Sequence, residues 1–103
     1  MRTAVFALTE AGAQLARRVG LALGDQATLF VSSRHATLGA QTFGRLREAV
    51  QENFHRYDAL VFIMAAGIAV RSIAPYLVSK LEDPAVVVLD EQGRHVISLL
   101  SGH

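Results

Sequence analysis

The feature that most constrains the fold is a set of short apolar runs that alternate with helical segments. Thr3 to Leu8, Ala27 to Val31 and Asp58 to Met64 each contain few polar residues. Runs of this length without polar alternation are typical of strands that are buried on both faces. Such strands occur in parallel sheets that helices cover on both sides, so the sequence predicts an α/β fold.

The segments between these runs carry the periodicity and the end signals of helices. Thr9 is a suitable N-cap for a helix over Glu10 to Leu23. A second helix is predicted over Gln41 to Phe54, and Gly67 opens a short third helix that Pro75 interrupts. The apolar stripe of the second helix consists of Phe43, Leu46, Val50 and Phe54.

The last part of the chain has the pattern of a hairpin. Ala85 to Leu89 is apolar, Asp90 to Gly93 has turn composition, and Arg94 to Leu100 is the returning strand. The predicted order is therefore β-α-β-α-β-α-β-β. It indicates a three-layer, Rossmann-like α/β domain over residues 1–103, with a mostly parallel sheet and a C-terminal antiparallel hairpin.

The composition narrows the classes of function. Hydrophobic residues make up 51% of the 103 residues and charged residues only 18%. A short chain this apolar is expected to leave surface for a partner domain or for self-association as a homo-oligomer. The net charge of +1, without basic runs, gives no indication of nucleic-acid binding.

The cysteine content indicates the cellular compartment, and the length of the apolar runs indicates whether the chain can span a membrane. The chain has no cysteine, which excludes disulfides and thiolate metal sites and favours a cytoplasmic location. The longest apolar stretch, Ala59 to Val70, is shorter than the about 20 residues that span a bilayer. No membrane association is therefore expected.

One edge of the predicted sheet collects groups that could bind an anion. The carboxyl ends of parallel strands meet at one edge, which brings together Thr9 and Glu10, Ser32 to His35, and Ala65 to Arg71. Backbone N–H groups from Gly67 to Ala69 at a helix start, with the Arg71 guanidinium one turn later, suit a carboxylate or phosphate. The alternative is that Gly67 only makes a tight turn and Arg71 is solvated.

The segment Ser101-Gly102-His103 places a hydroxyl and an imidazole two residues apart after a strand. A serine nucleophile would need an elbow and an orienting group that the sequence lacks, so His103 is better read as a general base or hydrogen-bond donor. His35, His55 and His95 have unrelated spacings, and no metal site is predicted. The glycine-rich phosphate-binding motifs are absent.

Three motifs in the second half of the chain occur together in one family. The segments G-I-A-V-R-S-I-A-P, D-P-A-V-V-V-L-D-E-Q-G-R and S-G-H resemble the N-terminal domain of the CbiG family, the cobalt-precorrin 5A hydrolases of anaerobic cobalamin biosynthesis. The resemblance implies hydrolytic opening of a corrinoid δ-lactone with release of acetaldehyde. It also implies no cofactor, since the cobalt arrives with the substrate. The matching positions are Gly67, Ile68, Val70, Arg71, Ser101, Gly102 and His103.

The roles within this pattern are our own hypotheses. Arg71 with the backbone at Gly67, Ile68 and Ala69, and with Gly102, would bind a substrate carboxylate. His103 would activate water for attack on the lactone, and Ser101 would orient the substrate or the base.

The resemblance also bears on partners. The family continues past Ser-Gly-His into another helix and further domains, so this chain is expected to be the N-terminal domain of a longer protein. The expected partners are those domains or a companion chain, and a cobalt-precorrin methyltransferase. Two alternatives stay open. The chain could be a non-catalytic module for an anionic tetrapyrrole or other small ligand, or an interaction domain whose sheet face docks to a partner.

Overall fold

Strands and helices alternate along the chain in a computed structural model, which describes residues 1–101. The strands are β1 (Thr3–Ala7), β2 (Ala27–Ser32), β3 (Ala40–Phe43), β4 (Ala59–Ile63), β5 (Ala85–Leu89) and β6 (Val96–Leu100). The helices are α1 (Glu10–Leu23), α2 (Leu46–Asn53) and α3 (Ala66–Ile73). Single turns of 3-10 helix occupy Gly24–Gln26, Ser33–His35 and Ala74–Tyr76.

The six strands form one sheet in the order β3-β2-β1-β4-β5-β6. All neighbours are parallel except β5 and β6, which form the predicted antiparallel hairpin. Ala7 lies opposite both Val31 and Ile63, and Ile63 lies opposite Leu89. The carboxyl ends of β1, β2, β4 and β5 therefore share one edge of the sheet, as the sequence predicted.

Helices cover both faces of the sheet, which confirms the three-layer α/β prediction. On one face, Ala13 and Ala16 of α1 pack with Val5 of β1. On the other face, α2 and α3 cover a larger apolar cluster, in which Ile73 of α3 packs with Phe6. The crossovers that carry α1 and α3 leave β1 and β4 in opposite directions along the sheet. The switch point between these two strands is where ligands bind in open α/β sheets.

The second helix is shorter than predicted. Its predicted start, Gln41 to Phe43, belongs to strand β3, which pairs with the edge of β2. Phe43 fitted the helical periodicity because its side chain also packs against the large apolar cluster, but it does so from a strand. Only the non-local pairing with β2 separates the two assignments, and tertiary context overrides local pattern in such cases.

The hairpin turn is held by a side-chain hydrogen bond. The backbone N–H of His95 donates to the Asp90 carboxylate at 2.8 Å, and the Gly93 N–H donates to the Asp90 carbonyl at 3.0 Å. The first of these bonds holds the pKa of the Asp90 carboxyl below its ordinary value of 3.8.

This lowered pKa predicts a pH dependence of stability. A carboxyl whose pKa is lower in the folded state stabilises the protein above the unfolded pKa, and that contribution is lost as the pH falls through the folded pKa. We expect Asp90→Asn to reduce the drop in thermal midpoint between about pH 6 and about pH 3. Glu91→Gln is the matched control, since the Glu91 side chain accepts no hydrogen bond within residues 1–101. An identical acid sensitivity in wild type and Asp90→Asn would contradict this interpretation.

The hairpin also leaves apolar surface at the end of the sheet. In the part of the chain that is described, no strand pairs with the outer edge of β6. The side chains of Val96 and Ile97 on this strand are 64% and 46% exposed.

Within residues 1–101, no helix has the length and apolar character needed to cross a membrane.

Candidate functional site

Two helices begin at the switch point, and their first turns differ. The Thr9 side chain caps α1 by accepting a hydrogen bond from the Gly12 N–H at 3.0 Å. The corresponding position of α3 is Ala65, whose methyl group accepts none. At the start of α1, the Thr9 side chain thus accepts one of the free backbone N–H groups. At the start of α3, no side chain of the described residues does so.

Gly67, at the start of α3, is exposed and has open space beside its backbone. The N–H groups of Ile68 and Ala69 donate to the Ala65 carbonyl at 3.1 and 3.2 Å. The N–H of Gly67 has no acceptor within residues 1–101. A Cβ placed on Gly67 would meet no atom within 4 Å, so ligand atoms can approach this backbone closely.

Arg71 lies one turn after Gly67 on the same face of α3. This face points away from the sheet, because Ala69 and Ile73 on the opposite side are buried. The Arg71 guanidinium is exposed and makes no ion pair or hydrogen bond within residues 1–101. Gly67 and Arg71 are therefore placed to act together on one anionic group.

The remaining motif residues of this segment, Ile68, Ala69 and Val70, flank that face or lie beneath it. Ile68 is 46% exposed and Val70 is 45% exposed, so the two side chains give the face an apolar border. Ala69 is fully buried in the core, and its N–H is used inside the first turn. On α3, the predicted residues whose exposure leaves them open to a ligand are accordingly Gly67, Ile68 and Arg71.

Ser101 does not lie near this face. Because β6 is antiparallel to β5, Leu100 is opposite Val86 and the chain leaves β6 at the amino edge of the parallel strands. A strand of five residues spans about 16 Å, which separates Ser101 from the start of α3 by roughly that distance. The structure thus splits the predicted site into two regions. Gly102 and His103, the other predicted residues of this motif, lie outside the described residues.

Ser101 lines a cleft of about 660 Å³ that also contains His55 and Asp83. The Nε2 atom of His55 is 3.4 Å from an Asp83 carboxylate oxygen. Both oxygens of Asp83 accept the Val78 N–H at 3.0 Å, so this carboxylate mainly fixes the loop before β5. Ser101 makes no hydrogen bond to His55 within residues 1–101, and the three groups do not form an assembled nucleophile.

Sequence reasoning missed His55 and Asp83 as neighbours of Ser101. Asp83 belongs to the D-P-A-V-V-V motif, which offered a signal, but His55 lies 28 residues earlier. Within residues 1–101, no three His, Cys, Asp or Glu side chains are grouped so as to hold a metal ion.

Comparison with known proteins identifies the family. The family model described as cobalamin synthesis G N-terminal matches residues 48–103, which is more than half of the chain. The chain belongs to this family. The match covers β4, α3 and the hairpin, and therefore both regions of the predicted site.

Relatives of the cobalamin synthesis G N-terminal family extend the match to the first half of the chain. The chain is 48% identical over 101 residues to a cobalt-precorrin-5A hydrolase of Salmonella typhimurium, and 39% identical over 106 residues to one of Priestia megaterium. Each match covers 97% of this chain but 28% of the relative, so the chain spans less than a third of their length.

A solved structure supports the same assignment at the level of the fold. A cobalamin biosynthesis protein G homolog from Sulfolobus solfataricus superposes with a TM-score of 0.70 and 26% identity. The superposition covers 99% of this chain and 30% of the homolog. The α/β unit thus corresponds to less than a third of that homolog.

Proposed function

We propose that this chain is the N-terminal domain of a cobalt-precorrin 5A hydrolase of cobalamin biosynthesis. The observation that carries the proposal is the 48% identity to a protein of that name, over nearly the full length of this chain. The reaction is hydrolytic opening of the δ-lactone of a cobalt corrinoid, with release of acetaldehyde. The cobalt belongs to the substrate, so the chain requires no cofactor of its own.

The α3 face supplies the binding step in this proposal. The Gly67 N–H and the Arg71 guanidinium bind a carboxylate at the rim of the macrocycle, since a helix start and a cation both favour negative charge. The half-exposed Ile68 and Val70 side chains border that position and suit the apolar part of a large flat ligand. Gly102 contributes a backbone contact to the substrate in this proposal.

The Ser101-Gly102-His103 segment supplies the hydrolytic groups in this proposal. His103 activates water for attack on the lactone carbonyl, and Ser101 orients the substrate or the base. The distance between the two regions means that a ligand held at Gly67 must be large to reach Ser101 as well. Further domains of the same protein, or a companion chain, complete the site around Ser101.

The remaining expectations follow from the same assignment. The strand order β3-β2-β1-β4-β5-β6 supports a Rossmann-like classification. The lack of cysteine fits work in the cytoplasm. The exposed Val96 and Ile97 side chains on β6 support docking to the further domains, with self-association or a cobalt-precorrin methyltransferase as other occupants.

A titration of the purified chain with a cobalt-corrinoid lactone tests this function. Visible absorption reports binding at the macrocycle, and an aldehyde assay reports turnover. We expect saturable binding without acetaldehyde release, and release when a longer protein that includes the further domains is used. Release by the chain alone would show that the site is complete here. A folded chain that does not bind would contradict the proposal and favour an interaction domain.

A further inference from the structure

A second group of cations lies on the opposite side of the switch point from α3. Arg17 of α1 and Arg34 and His35 of the turn after β2 line a cleft of about 440 Å³, together with Glu10 and Gln14. We name it the basic cleft. Its Glu10, Arg34 and His35 lie at the carboxyl edge, because β2 is parallel to β1 and its end is level with the start of α1. Arg17 lies about two turns further along α1.

The charges of the basic cleft are not neutralised by the protein. Neither Arg17 nor Arg34 has a carboxylate oxygen within 4.0 Å in the described part of the chain. Glu10 supplies one negative charge against two guanidiniums, which leaves the cleft net positive. Two unpaired guanidiniums that face one cleft repel each other, and a bound anion would relieve that repulsion.

The two arginines of the basic cleft lie on regular secondary structure. Glu10, Gln14 and Arg17 are exposed and follow one another at helical spacing along α1, and the buried Ala13 beside them lines the same cleft. Arg34 and His35 belong to a 3-10 turn that Ser32 caps, its hydroxyl accepting the Arg34 N–H at 3.4 Å. The two guanidiniums are therefore carried by fixed elements on either side of the cleft.

The donor set consists of two separate guanidinium forks, and each fork can bind the two oxygens of a carboxylate or of a phosphate. Two such forks suit a ligand with two carboxylates. Helix-start amides, which recur in phosphate sites, contribute less here because the Gly12 N–H already donates to Thr9. We infer that the basic cleft binds two carboxylate groups of one ligand through Arg17 and Arg34. This inference deepens the proposed function and rests on it, since there the carboxylates are acid side chains of the substrate.

Titration of the chain with tricarballylate tests the inference without a corrinoid. We expect backbone amide shifts in ¹⁵N NMR that are confined to α1 and to the turn at residues 33–37. Arg17→Gln and Arg34→Gln should each weaken binding at least about tenfold. Arg18→Gln, the same change at the next residue and outside the cleft, should leave the affinity unchanged. All three residues are exposed, so the variants should keep the wild-type NMR spectrum elsewhere.

Several outcomes would overturn the inference or separate it from the proposed function. Equal weakening by Arg18→Gln would show a general charge effect, and inorganic phosphate binding as tightly as tricarballylate would show that the ligand class is wrong. Corrinoid affinity that is retained in Arg17→Gln and Arg34→Gln would separate the cleft from the substrate while leaving the proposed function intact. Tricarballylate binding by a chain that does not bind corrinoid would support the dicarboxylate site and contradict the proposed function.

Discussion

Replacing Phe6 with alanine should lower the free energy of unfolding by about 3–5 kcal/mol, since a large buried side chain leaves both lost contacts and a cavity. Phe6 is fully buried on the central strand β1. Its ring stacks between those of Phe30 and Phe62, with centroids 5.0 Å from each. The cavity would open at the middle of the sheet, under α2 and α3, where three strands and two helices limit collapse.

Urea denaturation followed by far-ultraviolet circular dichroism measures this loss. A domain of this size has a total stability of about 5–15 kcal/mol, so the variant should unfold at a much lower urea concentration. Phe43→Ala is the matched control, because Phe43 is half-buried on the edge strand β3 and should cost clearly less. Equal losses for the two variants would contradict the central role given to the Phe6 stack.

Replacing Arg71 with alanine should weaken cobalt-corrinoid binding by about tenfold to a hundredfold, the range for one hydrogen bond to a charged group. Stability should not change, because the Arg71 side chain is exposed and has no partner within residues 1–101. Lysine at this position should retain part of the affinity, since an ammonium keeps the charge but loses the planar fork. The dissociation constant from the absorption titration is the measurement.

Two further variants make this result specific. Arg18→Ala removes another exposed arginine, from α1 on the other face of the sheet, and should leave corrinoid affinity unchanged. Gly67→Ala adds a methyl group that meets no protein atom within 4 Å, so it should fold normally and still reduce affinity if the ligand approaches this backbone. Unchanged affinity in Arg71→Ala would remove the carboxylate contact from the proposal.

Much of the architecture could be predicted because it depends on local signals. The cap at Thr9 and the apolar run of β5 lie where the sequence placed them. Strand β3 could not be predicted, because Gln41 to Phe43 fit the helical stripe equally well and only the pairing with β2 decides. A pattern read along the chain carries no information on which non-local partner is within reach.

Part of the candidate site could likewise be predicted from the sequence, and part of it could not. The sequence by itself determined that strand ends, a glycine at a helix start and Arg71 share one region, because parallel strands bring their carboxyl ends to one edge. Only the tertiary structure decided that Ser101 lies at the opposite edge, beside His55 and Asp83, because β6 runs antiparallel and returns the chain to the amino edge. Only the tertiary structure placed Arg17 and Arg34, 17 residues apart, on one cleft. Local motifs fix which groups are present, whereas strand direction and crossover connections fix which of them can meet on one ligand.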